Sequence, residues 1–178
     1  MSVPVKLGMF TMPFHHPGKN YAQLLEEDRE AVILADRLGF TEAYVGEHYS
    51  SWSERITSPL IFLATVIPLT KQIRLGTGVL NLPQVHPGLV AAHAAMFDQL
   101  SGGRFIMGIG PGGLVSDLEM FDVGQAELRP QMAQESIEVV LRLWAQDPPY
   151  EINGRFWKFA LKDAIWPEFK VGYIPRPL

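Results

Sequence analysis

The stretch Ile73–Gly113, IRLGTGVLNLPQVHPGLVAAHAAMFDQLSGGRFIMGIGPGG, decides how the chain is built. Two apolar runs, Ile73–Leu80 and Phe105–Ile109, flank a helical segment that opens at His86-Pro87 and closes at Ser101-Gly102-Gly103. Strand, helix and strand with a buried pattern predict a βαβ unit, whose two strands lie parallel because the chain between them is a crossover and not a turn. Each strand runs into a glycine-marked turn. Both turns therefore open on one edge of the sheet, where α/β proteins place their chemistry.

The same alternation extends toward the N-terminus. Val5–Phe10 reads as a first buried strand. Asn20 caps a helix, with Gln23 three residues on as in a capping box, and Gly39 stops it. Tyr21, Leu24, Leu25, Ala31, Ala35 and Leu38 form its inward stripe, broken only by Asp28. Ala43–Gly46 is the second strand, and Glu47-His48-Tyr49 sits where that strand leaves the sheet. Ser58-Pro59 opens the second helix, Leu60–Val66 is its body, and Pro68 ends or kinks it.

Toward the C-terminus, Ser116–Phe121 reads as a short helical turn and Arg129–Ala145 as a fourth outer helix, from the spacing of Met132, Ile137, Val140, Leu141 and Trp144. Tyr150–Phe159 then alternates about Asn153-Gly154, a hairpin signal that departs from the repeat. The expected organisation is one domain over residues 1–178, with a hairpin excursion at 149–160 and an extended linker at 166–178. Four β/α units do not close a barrel, which typically takes ~250 residues. The pattern leaves three architectures: half of a barrel, a half that pairs with another, or a smaller doubly wound sheet.

The bulk numbers suit a globular chain: 178 residues, 47% hydrophobic, with a net charge of -4 and no basic stripe to favour nucleic acid or an anionic membrane. A small molecule is the expected ligand. There is no cysteine, hence no disulfide, thiolate nucleophile or cysteine-bound metal. The N-terminus lacks a signal-peptide pattern, and no apolar run approaches the ~20 residues of a membrane span. The expected location is the cytoplasm.

Each chemical motif has a plain structural alternative. Gly108, Gly110 and Gly113 match G-x-G-x-x-G, but Gly108 lies inside a strand and Pro111 has no N–H for a phosphate, so a turn explains them as well as a dinucleotide does. His48, beside Glu47 at a strand's ligand-facing end, is either a proton-transfer residue or a structural one. Arg129 opens a helix, where a cation opposes the macrodipole unless an anion sits there too; the alternative is a solvated arginine or a pair with Glu127. His86 caps a helix start. Asp98 and Arg104 flank the end of the third helix as a structural pair. His15, His16 and His93 have no acidic or histidine partner at metal-ligand spacing, so no metal is expected.

Taken in order, Leu38-Gly39-Phe40 through Gly46-Glu47-His48, then Ile73-Arg74-Leu75-Gly76-Thr77-Gly78, His86-Pro87, and Asp98-Gln99-Leu100-Ser101-Gly102-Gly103-Arg104 through Gly108-Ile109-Gly110 resemble the bacterial luciferase-like flavin monooxygenases, and within them the limonene monooxygenase-like branch. The likeness runs over essentially the whole chain. It implies an α/β fold, the (β/α)8 TIM barrel of the luciferase-like type, of which this chain gives roughly the first four β/α units plus a β-hairpin.

The activity it implies is a flavin-dependent monooxygenase that uses reduced FMN and O2 to insert one oxygen atom into a small apolar substrate by way of a peroxyflavin. A separate flavin reductase and a homo-oligomer go with it. The resemblance makes His48 the catalytic histidine and puts cofactor contacts at Glu47, Gly78, Val79, Gly110 and Arg129. Gly78-Val79 matches the family's non-prolyl cis peptide beneath the flavin ring, and Arg129 matches a phosphate-binding arginine. Tyr49 replaces the second histidine of luciferases, while Gly110 and Pro111 stand where luciferase has a cysteine and an arginine. Two alternatives accompany this reading: a deazaflavin-dependent oxidoreductase of the same fold, and a non-catalytic half-barrel that only binds flavin.

Overall fold

The computed structural model describes residues 5–178. In chain order the first elements are β1 (Gly8–Thr11), α1 (Tyr21–Arg37), β2 (Glu42–Val45), α2 (Pro59–Ala64), β3 (Arg74–Thr77) and β4 (Leu80–Asn81). They are followed by α3 (Pro87–Ser101), β5 (Phe105–Ile106), β6 (Ile109–Gly110), α4 (Val115–Met120), α5 (Arg129–Ala145), β7 (Tyr150–Asn153) and β8 (Lys158–Leu161). The chain divides into two compact units, the first running to Leu80 and including Leu100–Ile109, the second made of Asn81–Gln99 and Gly110–Leu178.

The first unit is built on a four-stranded sheet in the order β1-β2-β3-β5, parallel throughout. Ala43, Val45 and Leu75 are buried, and with Leu24, Val32 and Leu63 they form its core. The register sets Thr11 opposite Val45 and Val45 opposite Thr77. Three strands thus end level, so Met12, Gly46-Glu47-His48 and Gly78-Val79 all leave the sheet along one edge.

Local chemistry explains the connecting helices. Asn20 Oδ1 accepts from Gln23 N (3.0 Å) at the start of α1, but the Gln23 amide goes to Glu27, so only half of the expected capping box forms. Gly39, at φ +83°, takes the left-handed conformation after the last turn. Ser58 Oγ caps α2 by accepting from Ile61 N, and a 3-10 turn at Ile67–Leu69 follows where Pro68 bars further α-helix. Asp36, near the end of α1, accepts from the backbone N–H groups of Lys71, Gln72 and Ile73, which ties that helix to the entry of β3.

Three strands are shorter than their apolar runs, and the first begins at Gly8, not Val5. The third stops at Thr77, not Leu80, and the fourth is interrupted at Met107-Gly108. A side chain takes over the pairing at that point: Thr77 Oγ1 donates to Gly108 O (2.7 Å) and accepts from Gly108 N (3.0 Å). A Cβ on Gly108 would sit 1.9 Å from Thr77 O, so only glycine permits the approach. This contact accounts for one glycine of the G-x-G-x-x-G match. Gly112, which lies outside the match, is the residue of that turn at positive φ (+81°).

In the second unit, Val90, Ala91, Ala94, Val140, Leu143 and Ile152 are buried, and Trp144 Nε1 donates to Ala91 O (3.1 Å) from α5 to α3. β7 and β8 form an antiparallel hairpin with Asn153 opposite Lys158. Its turn is fastened to α5 by the Glu135 carboxylate, which accepts from Arg155 N, Phe156 N and Trp157 N at 2.8–3.0 Å. His86 Nδ1 accepts from Gly88 N at the start of α3, and its ring lies against Trp157 and Phe159. The stretch expected to be extended, 166–178, contains a tight turn bridged between Trp166 and Val171, and its end is held where Leu178 N donates to Asp98 Oδ2.

Candidate active site

His48 stands three residues past the end of β2 on a loop that folds back over it. His48 N donates to Ile56 O (3.2 Å), and His48 Nδ1 donates to Glu54 Oε2 (3.0 Å). Glu54 N in turn donates to Ser51 Oγ (3.1 Å). An ionised carboxylate only accepts, so this pairing calls for the proton on Nδ1 and, in a neutral ring, leaves Nε2 as the acceptor. Glu47 is buried, and its Oε1 accepts a hydrogen bond from the Tyr49 hydroxyl. A cleft of about 10 Å³, enough for one water, lies between Met12, Pro13, Gly46, His48, Glu54 and Ile56.

The loop after β1 is locked to the loop after β2. Arg55, only 4% exposed, donates to the carbonyls of Trp52, Pro17 and Lys19, and its guanidinium lies 4.2 Å over the Trp52 ring. His15 N donates to Ser53 O, and His15 Nε2 lies 3.1 Å from both Asp28 oxygens. The residue that breaks the α1 stripe thus has an acidic-basic pairing after all, with a histidine 13 positions away. Burial pushes the Asp28 carboxyl above its ordinary range, against the lowering influence of His15. No group of three or more metal-ligating side chains occurs among the described residues.

The strand ends carry glycines because large side chains lie across them. A Cβ on Gly76 would meet the Tyr44 ring at 2.4 Å, and one on Gly78 would meet Phe10 at 3.0 Å. Gly78 N donates to Val45 O (2.7 Å), which holds Gly78 beside the end of β2, and the Gly78–Val79 peptide is cis. The Tyr44 hydroxyl donates to Glu42 (2.9 Å), a bond that together with burial raises the tyrosine's pKa.

Of the predicted site residues, the first unit thus brings Glu47, His48, Gly78 and Val79 to the edge where its strands end. Gly110 and Arg129 belong to the second unit. Gly110 closes β6, and Arg129 opens α5 with Nη1 donating to Gly112 O (2.9 Å). Arg129 Nε is buried without a partner, as are both polar atoms of the Gln84 side chain. Three larger cavities, of about 540, 530 and 340 Å³, include none of the predicted residues.

Sequence reasoning missed Glu54, Arg55, Asp28 and Gln84. Signals existed for Glu54, in the Ser51-x-x-Glu54 spacing of a capping box, and for Asp28, as the polar break in the α1 stripe. Arg55 is recognisable only from its partners in space, and Gln84 only from its burial without one.

Residues 5–176 match the luciferase-like monooxygenase family. The chain belongs to that family. Among luciferase-like relatives, 4-hydroxyprotoasukamycin monooxygenase of Streptomyces nodosus subsp. asukaensis is 40% identical over 82% of this chain and 39% of its own length. Limonene 1,2-monooxygenase of Rhodococcus erythropolis is 40% identical over 79% of this chain and 36% of its own. The chain spans less than half the length of these curated relatives. Of solved structures, the oxygenating constituent of 3,6-diketocamphane monooxygenase from Pseudomonas putida, a type II Baeyer-Villiger monooxygenase in complex with FMN, superposes with a TM-score of 0.86 at 24% identity, over 97% of this chain and 48% of that one. The fold is accordingly α/β, of the luciferase-like TIM-barrel type, and this chain holds part of such a barrel. No helix among the described residues is long and apolar enough to cross a membrane.

Proposed function

We propose that the protein is a flavin-dependent monooxygenase that takes reduced FMN and O2 and inserts one oxygen atom into a small apolar substrate. The observation that carries this reading is His48, set past the end of β2 in a luciferase-like chain with Nδ1 engaged and Nε2 left as the acceptor. The relatives named above are monooxygenases, and the FMN of the Pseudomonas putida neighbour favours FMN over a deazaflavin. That neighbour is an oxygenating constituent, which supports a separate reductase as the source of reduced flavin.

The residues suit such a cofactor. In the first unit, Gly46, Gly76 and Gly78 lie under Met12, Tyr44 and Phe10, giving an apolar surface at the strand ends. In the second, Arg129 has a buried Nε without a partner, as a cation prepared for an anionic group would. Reduced FMN, when bound, supplies the electrons that activate dioxygen. We assign the ring side to Glu47, Gly78 and Val79 and a phosphate contact to Arg129 with Gly110. His48 Nε2 holds or moves a proton near the reacting oxygen, and Met12, Phe10 and Phe14 keep water away. Exposed Leu34 and Leu69, which line one surface cleft of the first unit, support self-association.

The test is a paired one on the protein that carries this chain. R129A is expected to weaken FMN binding by about tenfold or more, because a charge-assisted contact contributes roughly 1.5–3 kcal/mol. H48A is expected to abolish oxygen transfer to terpene or cyclic-ketone substrates while leaving FMN affinity within about twofold. Product formation by H48A at the wild-type rate, with unchanged FMN affinity in R129A, would overturn the reading.

A further inference from the structure

The geometry points to Glu54 as the positioning residue for His48, selecting the ring nitrogen that deals with the proton. We infer this from the 3.0 Å Nδ1–Oε2 contact; the role rests on His48 being the proton-handling residue proposed above. A histidine in water favours the tautomer protonated on Nε2. A carboxylate held at Nδ1 reverses that preference, fixes the ring's rotation, and leaves Nε2 as the nitrogen that accepts from, or once charged donates to, a reacting group. Proton transfer by a positioned side chain contributes typically about 10²–10⁴-fold, and a ring held in the wrong tautomer forfeits part of it.

The placement of Glu54 is over-determined, which separates it from a casual surface pair. Its side chain is 23% exposed and that of His48 17%, so both are largely withdrawn from solvent. Ser51 Oγ accepts from Glu54 N, turning the chain so that the carboxylate faces back toward the histidine six residues earlier. The next residue, Arg55, is buried and clamped to the carbonyls of Pro17, Lys19 and Trp52, and the one after it, Ile56, receives the His48 N–H. The loop is pinned on both sides of the carboxylate. Glu54 therefore reaches His48 from a fixed support and not from a flexible arm.

The experiment reads the imidazole directly. Long-range 1H–15N correlation spectra of the protein labelled on histidine nitrogen, at a pH where the ring is neutral, should show Nδ1 protonated and Nε2 as the bare nitrogen of His48. E54A should revert the ring to the Nε2-protonated form, and E54Q, whose amide oxygen still accepts, should retain the wild-type tautomer in large part. In turnover, E54A should lower kcat by about 10–100-fold, part of the ~10²–10⁴-fold that a positioned acid–base group contributes, with KM and FMN affinity within about twofold, and E54Q should recover much of the loss. A wild-type His48 protonated on Nε2 would overturn the inference, even if E54A failed to fold, and so would an E54A spectrum identical to wild type. A tautomer that shifts in E54A without any change in turnover would uphold the positioning by Glu54 and sink the catalytic reading of His48, so the two failures are distinguishable.

Discussion

Replacing Asp36 tests the joint between the end of α1 and the start of β3. Its Oδ1 accepts from Ile73 N (2.8 Å) and Gln72 N (3.0 Å), and its Oδ2 accepts from Lys71 N (3.0 Å). Ile73 is fully buried, so in D36A its N–H has no water to turn to, at a cost of about 1–3 kcal/mol. Lys71 and Gln72 are exposed, and their N–H groups lose only about 0.5–1 kcal/mol each by exchanging the carboxylate for water. The total is about 3 kcal/mol, or a fall in Tm of roughly 6–12 °C for a chain of this size.

D36N keeps an oxygen for Ile73 and Gln72 and sacrifices only the bond to Lys71, so it should cost about 1 kcal/mol. The pH dependence has a definite sign. Burial by itself would raise the Asp36 carboxyl, but the N–H bonds from Ile73, Gln72 and Lys71 outweigh it and hold the group below its ordinary value. A depressed carboxyl stabilises the fold above its unfolded pKa, and that contribution is lost as the pH falls through the folded one. The gap between wild type and D36N should therefore be full at pH 7 and shrink below about pH 4. Denaturant unfolding of the three proteins across that range is the assay. A D36A loss under about 1 kcal/mol, or a D36N as damaged as D36A, would refute the bond-by-bond account.

Gly108→Ala should be severely destabilising, by about 3 kcal/mol or more, because the new Cβ would collide with the Thr77 carbonyl and backbone cannot swing aside; a melting temperature within about 2 °C of wild type would contradict it. Glu135→Ala should speed amide exchange at Arg155, Phe156 and Trp157 by about tenfold or more while leaving Val140 in α5 unchanged, since the carboxylate holds the hairpin turn and not the helix. Unchanged protection at those three amides would show that the turn holds itself.

What could be read from residues alone was local in origin. The bounds of α5, Arg129–Ala145, follow from a helical period, and Asn20, Ser58 and Gly39 mark helix ends because capping is settled within three or four residues. The parallel order of strands follows from crossover length, and the ordered motifs carried the family. Where strands stop was not legible, because Thr77 gives its hydroxyl to Gly108 across 31 positions. Nor was the pairing of His15 with Asp28, since each looked like an isolated polar residue on its own element.

The feature on which the chemistry turns divides in the same way. The sequence by itself brings His48 to the end of a strand, because an apolar run ends there and polar residues follow. Which of its nitrogens carries the proton was decided only when the loop closed and brought the Glu54 carboxylate to Nδ1. A tautomer depends on a hydrogen-bond partner in space, and only the tertiary structure supplies one.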